Sequence, residues 1–136
     1  MWDIKTLKKT FKLNKLYKEY NARFFKGKLG EVVFDVYVQG KDEIPTYAFE
    51  NARKKRTGGY TGNIKFNALC EWDECSIREI LLHEMVHYYH FVLFKTYLFF
   101  PHGIPFMLTQ LRLLLFHGVY VPNFGGHKIK MEKEES

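Results

Sequence analysis

Apolar residues at Ile4, Leu7 and Phe11, then at Leu16, Tyr17, Tyr20 and Phe24, recur at three- and four-residue steps, the period of one helix face. The spacing predicts one helix, or two short ones, over residues 3–26. The stripe slips near Leu13-Asn14, where Asn14 is suited to cap a restarted helix. Lys26 to Gly30 ends the helical region. From Glu31 to Gln39 the period shortens to two. Val32, Phe34, Val36 and Val38 face one way and Val33, Asp35 and Tyr37 the other, as in a half-buried strand. Gly40 to Pro45 reads as a turn. Short strands are expected at Tyr47–Phe49 and Ile64–Asn67, separated by the charged run Asn51–Arg56 and a turn region from Gly58 to Asn63.

Ser76, with Glu79 three positions on, has the form of a capping box. It should open a central helix that runs to about 95–98, before Pro101 and Gly103 break it. Phe106 to Phe116 is nearly all apolar and is expected to form a further, buried helix. Val119–Val121 and His127–Met131 read as short terminal strands or a tail. The pattern predicts an α+β fold: an N-terminal helix, a small twisted β-sheet, a central helix and one more buried helix. With 136 residues, 46% of them apolar, the chain suits one domain spanning 1–136 with one core.

Charge adds one feature. Residues 1–30 hold nine Lys and Arg against Asp3 and Glu19, so the rest of the chain is close to neutral although the total is +6. Lys5, Lys8, Lys12 and Lys15 fall near one helical face. DNA or another polyanion is therefore a candidate partner through the basic N-terminal region, against the plainer reading of a solvated helix face. Arg53-Lys54-Lys55-Arg56 fits a solvated hairpin tip. The segment Ile80–Phe100 is apolar, but His83, Glu84, His87, His90 and Lys95 would be costly in a bilayer, so no membrane span is expected. No apolar stretch follows the first lysines, so a secretory signal is not expected either. Cys70 and Cys75 match no zinc-ribbon spacing and read as plain thiols, which suits a reducing, cytoplasmic setting. The glycines at 58, 59 and 62 lack a following Lys-Ser or Lys-Thr, which argues against a phosphate-binding loop.

The central helix carries the chemistry. His83-Glu84-Met85-Val86-His87 reads H-E-x-x-H. On a helix, residues four apart share a face, so His83 and His87 can bind one zinc ion with the Glu84 carboxylate beside it. Two histidines and a glutamate buried separately would each need a partner of their own, whereas one hydrated ion satisfies all three. A catalytic zinc takes a third protein ligand and keeps one position open. No Asp or Glu lies between Met85 and Met131, which rules out a nearby downstream carboxylate. The metzincin extension is excluded too, because His90 and Leu93 occupy the positions where it needs Gly and His. His90, His102, His117 and His127 remain. His90 lies about 10 Å along the axis from His83, too far for one ion to reach both. His117 suits a helix C-terminus, and His127 adjoins a charged tail. His102, on a turn that folds back over the helix, is the best third ligand. Tyr60, Tyr88 and Tyr120 are candidate oxyanion donors, though a packing role explains each more simply.

With the fifteen-residue step to His102-Gly103-Ile104-Pro105-Phe106, the chain resembles the SprT-like zinc metallopeptidase family of the Spartan type. That family pairs H-E-x-x-H with H-G-x-x-F. The likeness extends to Leu16-Tyr17, Asn21 and the Phe25-Lys26-Gly27-Lys28-Leu29 exit of the first helical region, and to Ile64-Lys65-Phe66-Asn67 after the glycines. It covers about 13–110. The resemblance implies a zincin-like core, a single catalytic zinc on His83, His87 and His102, and Glu84 as the general base that draws a proton from a zinc-activated water during hydrolysis of a polypeptide substrate. It also raises DNA-associated proteins as substrates. The cysteine-rich zinc ribbon of many family members has no counterpart among the two cysteines here. The competing expectation is a basic, zinc-stabilised nucleic-acid-binding module without protease activity.

Overall fold

The computed structural model describes residues 1–38, 46–96 and 101–122. The N-terminal stripe folds as two helices, α1 (Ile4–Phe11) and α2 (Leu13–Phe24). Asp3 caps α1 by accepting a hydrogen bond from the Thr6 N–H at 2.8 Å. The break falls at Lys12, whose left-handed backbone (φ 51°) ends one helix and starts the next. Asn14 therefore lies inside α2 rather than capping it. The kink turns Leu7, Leu13, Leu16, Tyr17 and Phe24 into one core. Beyond α2, the Asn21 amide donates to the Leu29 carbonyl at 2.9 Å and its side-chain oxygen accepts from the Leu29 N–H at 3.0 Å. That two-way bridge fixes the turn into the sheet.

The sheet has three strands, β1 (Glu31–Tyr37), β2 (Ala48–Lys54) and β3 (Tyr60–Asn67), in the order β1-β3-β2. β1 runs parallel to β3 and β2 antiparallel to it. The alternation read for β1 holds around Phe34, which is buried between exposed Val33 and Asp35, but the strand ends at Tyr37 and Val38, expected on the Phe34 face, is exposed. The second strand is longer than expected. Asn51–Lys54 continues it, and only 55–59 turns, with Gly58 and Gly59 at φ 95° and 80°. Arg53 and Lys54 thus sit at the solvated end of a hairpin. Gly62 belongs to β3, not to the turn. A Cβ there would stand 2.6 Å from the Tyr88 ring, so this glycine lets the sheet approach the next helix.

That helix, α3 (Glu74–Phe94), is capped one turn earlier than the sequence suggested. Asp73 is the N-cap and Ser76 the reciprocating third residue, with Asp73 accepting from the Ser76 N–H at 2.7 Å and Ser76 Oγ accepting from the Asp73 N–H at 3.0 Å. Buried Ile77, Ile80, Leu81, Leu82, Met85, Val86 and Tyr88 occupy most of its girth, because it lies between the sheet and the remaining helices. The far end expected at 95–98 lies partly outside the described residues; Lys95 is its left-handed C-cap. The last helix, α4 (Ile104–His117), is not the buried element its composition suggested. Phe106, Thr109 and Leu113 face the core, while Ile104, Leu108, Leu115 and Phe116 are 60–79% exposed. The backbone from 119 to 122 is irregular, so no strand forms at Val119–Val121. The segment 127–131, read as a strand or a tail, lies outside the described residues. The architecture is α+β, with four helices around a small sheet among the described residues. Among the described residues, no helix is long and apolar enough to cross a membrane.

Candidate metal centre

His83 and His87 sit one turn apart on α3, and the chain between α3 and α4 brings back a third imidazole. His102 lies just before Gly103, the N-cap of α4, with Pro105 in its first turn. Proline is pre-set for that position and helps fix where the helix begins. The three Nε2 atoms form a triangle of 3.1 Å (His83–His87), 3.1 Å (His87–His102) and 3.3 Å (His83–His102). Nitrogens bound tetrahedrally at ordinary zinc distances stand about 3.3 Å apart, so the spacing suits three ligands of one ion.

The protonation pattern agrees. His83 Nδ1 lies 2.6 Å from the Pro122 carbonyl oxygen. A carbonyl only accepts, so Nδ1 carries the proton and donates, and Nε2 of a neutral His83 keeps its lone pair for the triangle. Burial pushes the His83 pKa down to about 4, helped by His102 and opposed by the Pro122 carbonyl. Burial, with His83, His102 and His90 adding to it, takes His87 down to about 3. Burial also lowers His102. All three rings therefore offer the neutral form that binds a metal. A single shared proton cannot serve three such short nitrogen–nitrogen approaches. A cation can, and these three side chains are together able to hold one.

Phe106 forms the floor. Its ring centroid lies 5.1, 5.1 and 5.0 Å from those of His83, His87 and His102, and it is fully buried. It is the last residue of the H-G-x-x-F run, placed under the imidazoles by the first turn of α4. The centre grades outward from buried His83 through half-buried His87 to exposed His102, so it opens on the His102 side.

Glu84 is 6% exposed. Burial raises its carboxyl pKa to about 8, with Glu50 of β2 adding to the shift. Neither Glu50 nor the Pro122 carbonyl was singled out from the sequence. A backbone acceptor leaves no side-chain signature, and the approach of β2 to α3 depends on packing.

The remaining candidates are placed elsewhere. His90 is buried, with Nε2 2.9 Å from Thr109 Oγ1, a link between α3 and α4. His117 ends α4 with its ring on Phe24, at 5.1 Å between centroids. His127 lies outside the described residues. Tyr88 Oη donates to the Glu31 carbonyl at 2.9 Å within the core, which makes it a packing and positioning ring. Tyr60 packs edge-on against Phe91. Tyr120 lines an open groove together with His102. Cys70 is buried and Cys75 is exposed, and the two are not joined in a disulfide.

The SprT-like family model matches residues 13–115, which includes every residue of this centre except Pro122. The chain belongs to the SprT-like family. Comparison with curated proteins gives no match. Within this SprT-like chain, the matched span takes in α2, the sheet, α3 and nearly all of α4, and leaves α1 outside it.

Proposed function

We propose that the protein is a zinc-dependent metalloendopeptidase in which His83, His87 and His102 hold the ion and Glu84 is the general base. The observation that carries this reading is the triangle of three neutral imidazole nitrogens at 3.1–3.3 Å, built on the same helix as a buried carboxyl. When bound, zinc supplies a Lewis acid that acidifies water and polarises the scissile carbonyl, and a positive charge that favours ionised Glu84. The protein's own part is orientation and proton transfer. The Pro122 carbonyl fixes the His83 tautomer, and Phe106 holds the three rings in register. Glu84 takes a proton from the attacking water and delivers it to the leaving amine. Its burial makes it a stronger base than an exposed carboxylate. No nucleophilic side chain is needed.

The substrate is a polypeptide. β3 offers no free edge to an extended substrate, because it is the middle strand and is hydrogen-bonded on both sides. Proteins associated with DNA are one substrate class, with Lys5, Lys9, Lys12, Lys15 and Lys18 exposed on the first two helices. A nucleic-acid-binding module without hydrolysis is the weaker reading. Lys12 and Lys15 share their groove with Glu19 and Glu74, which oppose a phosphate backbone. A structural zinc also has no use for a poised carboxyl. Two cysteines not joined in a disulfide suit action in the cytoplasm.

The test compares zinc content and casein cleavage in wild type and Glu84→Gln. Both proteins should carry one zinc, while cleavage falls by about 10²-fold or more in the variant. Equal activity would remove Glu84 from the mechanism.

A further inference from the structure

Beside the metal centre runs a groove of ≈ 580 Å³ whose wall includes His102 itself, with Met107, Leu108, Leu111 and Leu114 of α4 on one side and Tyr120 and Val121 on the other. That volume lies in the range of sites that enclose small ligands. The α4 side chains are 49–60% exposed, an unusual amount of bare apolar surface for one short helix. Gln110, also in the groove, uses its side-chain N–H to bind the Val121 carbonyl at 2.8 Å, which pins the opposite wall to α4. The groove is therefore bounded by two pieces of the metal centre: His102, a proposed ligand, and the 121–122 segment whose Pro122 carbonyl orients His83.

We propose that this groove is the specificity subsite, and that it seats a large apolar side chain of the polypeptide next to the bond being cut. The inference rests on reading the centre as one that receives peptide. Continuity decides the occupant. A protein partner seated permanently on α4 would crowd the exposed ligand His102, the side on which the centre opens. A substrate chain gains from lying along both, because apolar burial in the groove then holds its backbone at the centre. The enzyme would accordingly choose exposed hydrophobic residues, which are abundant in unfolded or loosened polypeptide and scarce on well-packed surfaces.

The experiment uses the zinc-loaded Glu84→Gln protein, which binds without turnover, and two fluorescein-labelled decapeptides that differ only in a central Phe or Ala. The Phe peptide should bind about tenfold tighter or more, the range a single filled apolar pocket gives. Leu108→Asp should bring the ratio close to one. Leu111→Ser, a milder change at a partly exposed position, should lower it in the same direction and guards against misfolding of the first variant. Equal binding of the two peptides, binding of neither, or a Phe preference that survives both substitutions would overturn the proposal. A concentration-dependent dimer abolished by Leu108→Asp would overturn it too, assigning the groove to a second copy of the chain. The peptidase reading fails separately. Wild-type protein that cuts no polypeptide while the Glu84→Gln form keeps its Phe preference would sink hydrolysis and leave the groove standing.

Discussion

Glu84 and its neighbouring histidines are shifted in opposite directions by the same cause. Burial keeps His83, His87 and His90 neutral, with His83 and His90 at about 4 and His87 at about 3, and it keeps the Glu84 carboxyl protonated up to about 8. The metal-free protein should show the consequence in its stability. Below pH 6.5, the usual value for histidine in an unfolded chain, the unfolded state takes up protons that the folded rings refuse, so stability falls as pH drops toward 4. Between about pH 4.5 and 8 the folded state holds a proton on Glu84 that the unfolded chain has lost, so that contribution fades as pH rises. Three rings outweigh one carboxyl below 6.5, and Glu84 acts alone above it. Urea denaturation of the metal-free protein should therefore peak near pH 6.5, and Glu84→Gln should flatten the alkaline side and steepen the acid side, where the carboxyl opposes the rings. An unchanged alkaline slope in the variant would contradict the buried, protonated carboxyl. At this scale the sequence was legible where chemistry is written in side chains at short range, as in His83, Glu84 and His87. It was silent on the Pro122 carbonyl, 39 residues beyond His83, because any residue type supplies a carbonyl.

The elements were read by period, and period records which positions are apolar rather than what covers them. β1 was plain because Phe34 alternates with exposed neighbours. The extension of β2 through Arg53 and Lys54 was hidden, since charged residues at a hairpin end look like loop. α3 was clear, but Asp73 and Ser76 lie three apart and both suit a cap; the reciprocal bonds make Asp73 the N-cap. α4 shows the limit most openly. An apolar composition does not make a helix buried: Met107, Leu108, Leu111 and Leu114 line an open groove. Gly62 was grouped with turn glycines when its need is steric. The close approach of β3 to α3 at this residue is testable. Gly62→Ala would place a methyl against the Tyr88 ring, 2.6 Å from Cε2, with Tyr88 itself fully buried. We expect a loss of about 1–3 kcal/mol in a denaturation curve, the usual cost of overpacking a filled core. A variant as stable as wild type would show that the sheet and helix are not in tight contact there.

Across the whole molecule, α3 and the start of α4 converge on one point, and a bound ion would tie them together. α4 is fastened to α2 by the Arg112 guanidinium, which donates to the Phe24 carbonyl at 2.8 Å, and to α3 by the His90–Thr109 contact. The third imidazole, His102, lies just before α4. Zinc binding should thus stabilise the fold as a unit by mass action, by about 2.7 kcal/mol at a hundredfold excess over its dissociation constant. In thermal melts, zinc should raise the midpoint of wild type, and His102→Ala should lose most of that rise while folding normally without metal, since His102 is exposed. An equal rise in both proteins would place the ion elsewhere. The most direct measurement is anomalous scattering at the zinc edge from crystals of the zinc-loaded protein. The expected map holds a single strong peak bonded to Nε2 of His83, His87 and His102, with no fourth protein ligand. A peak away from these rings, or one closed by a fourth side chain, would contradict the proposed catalytic centre.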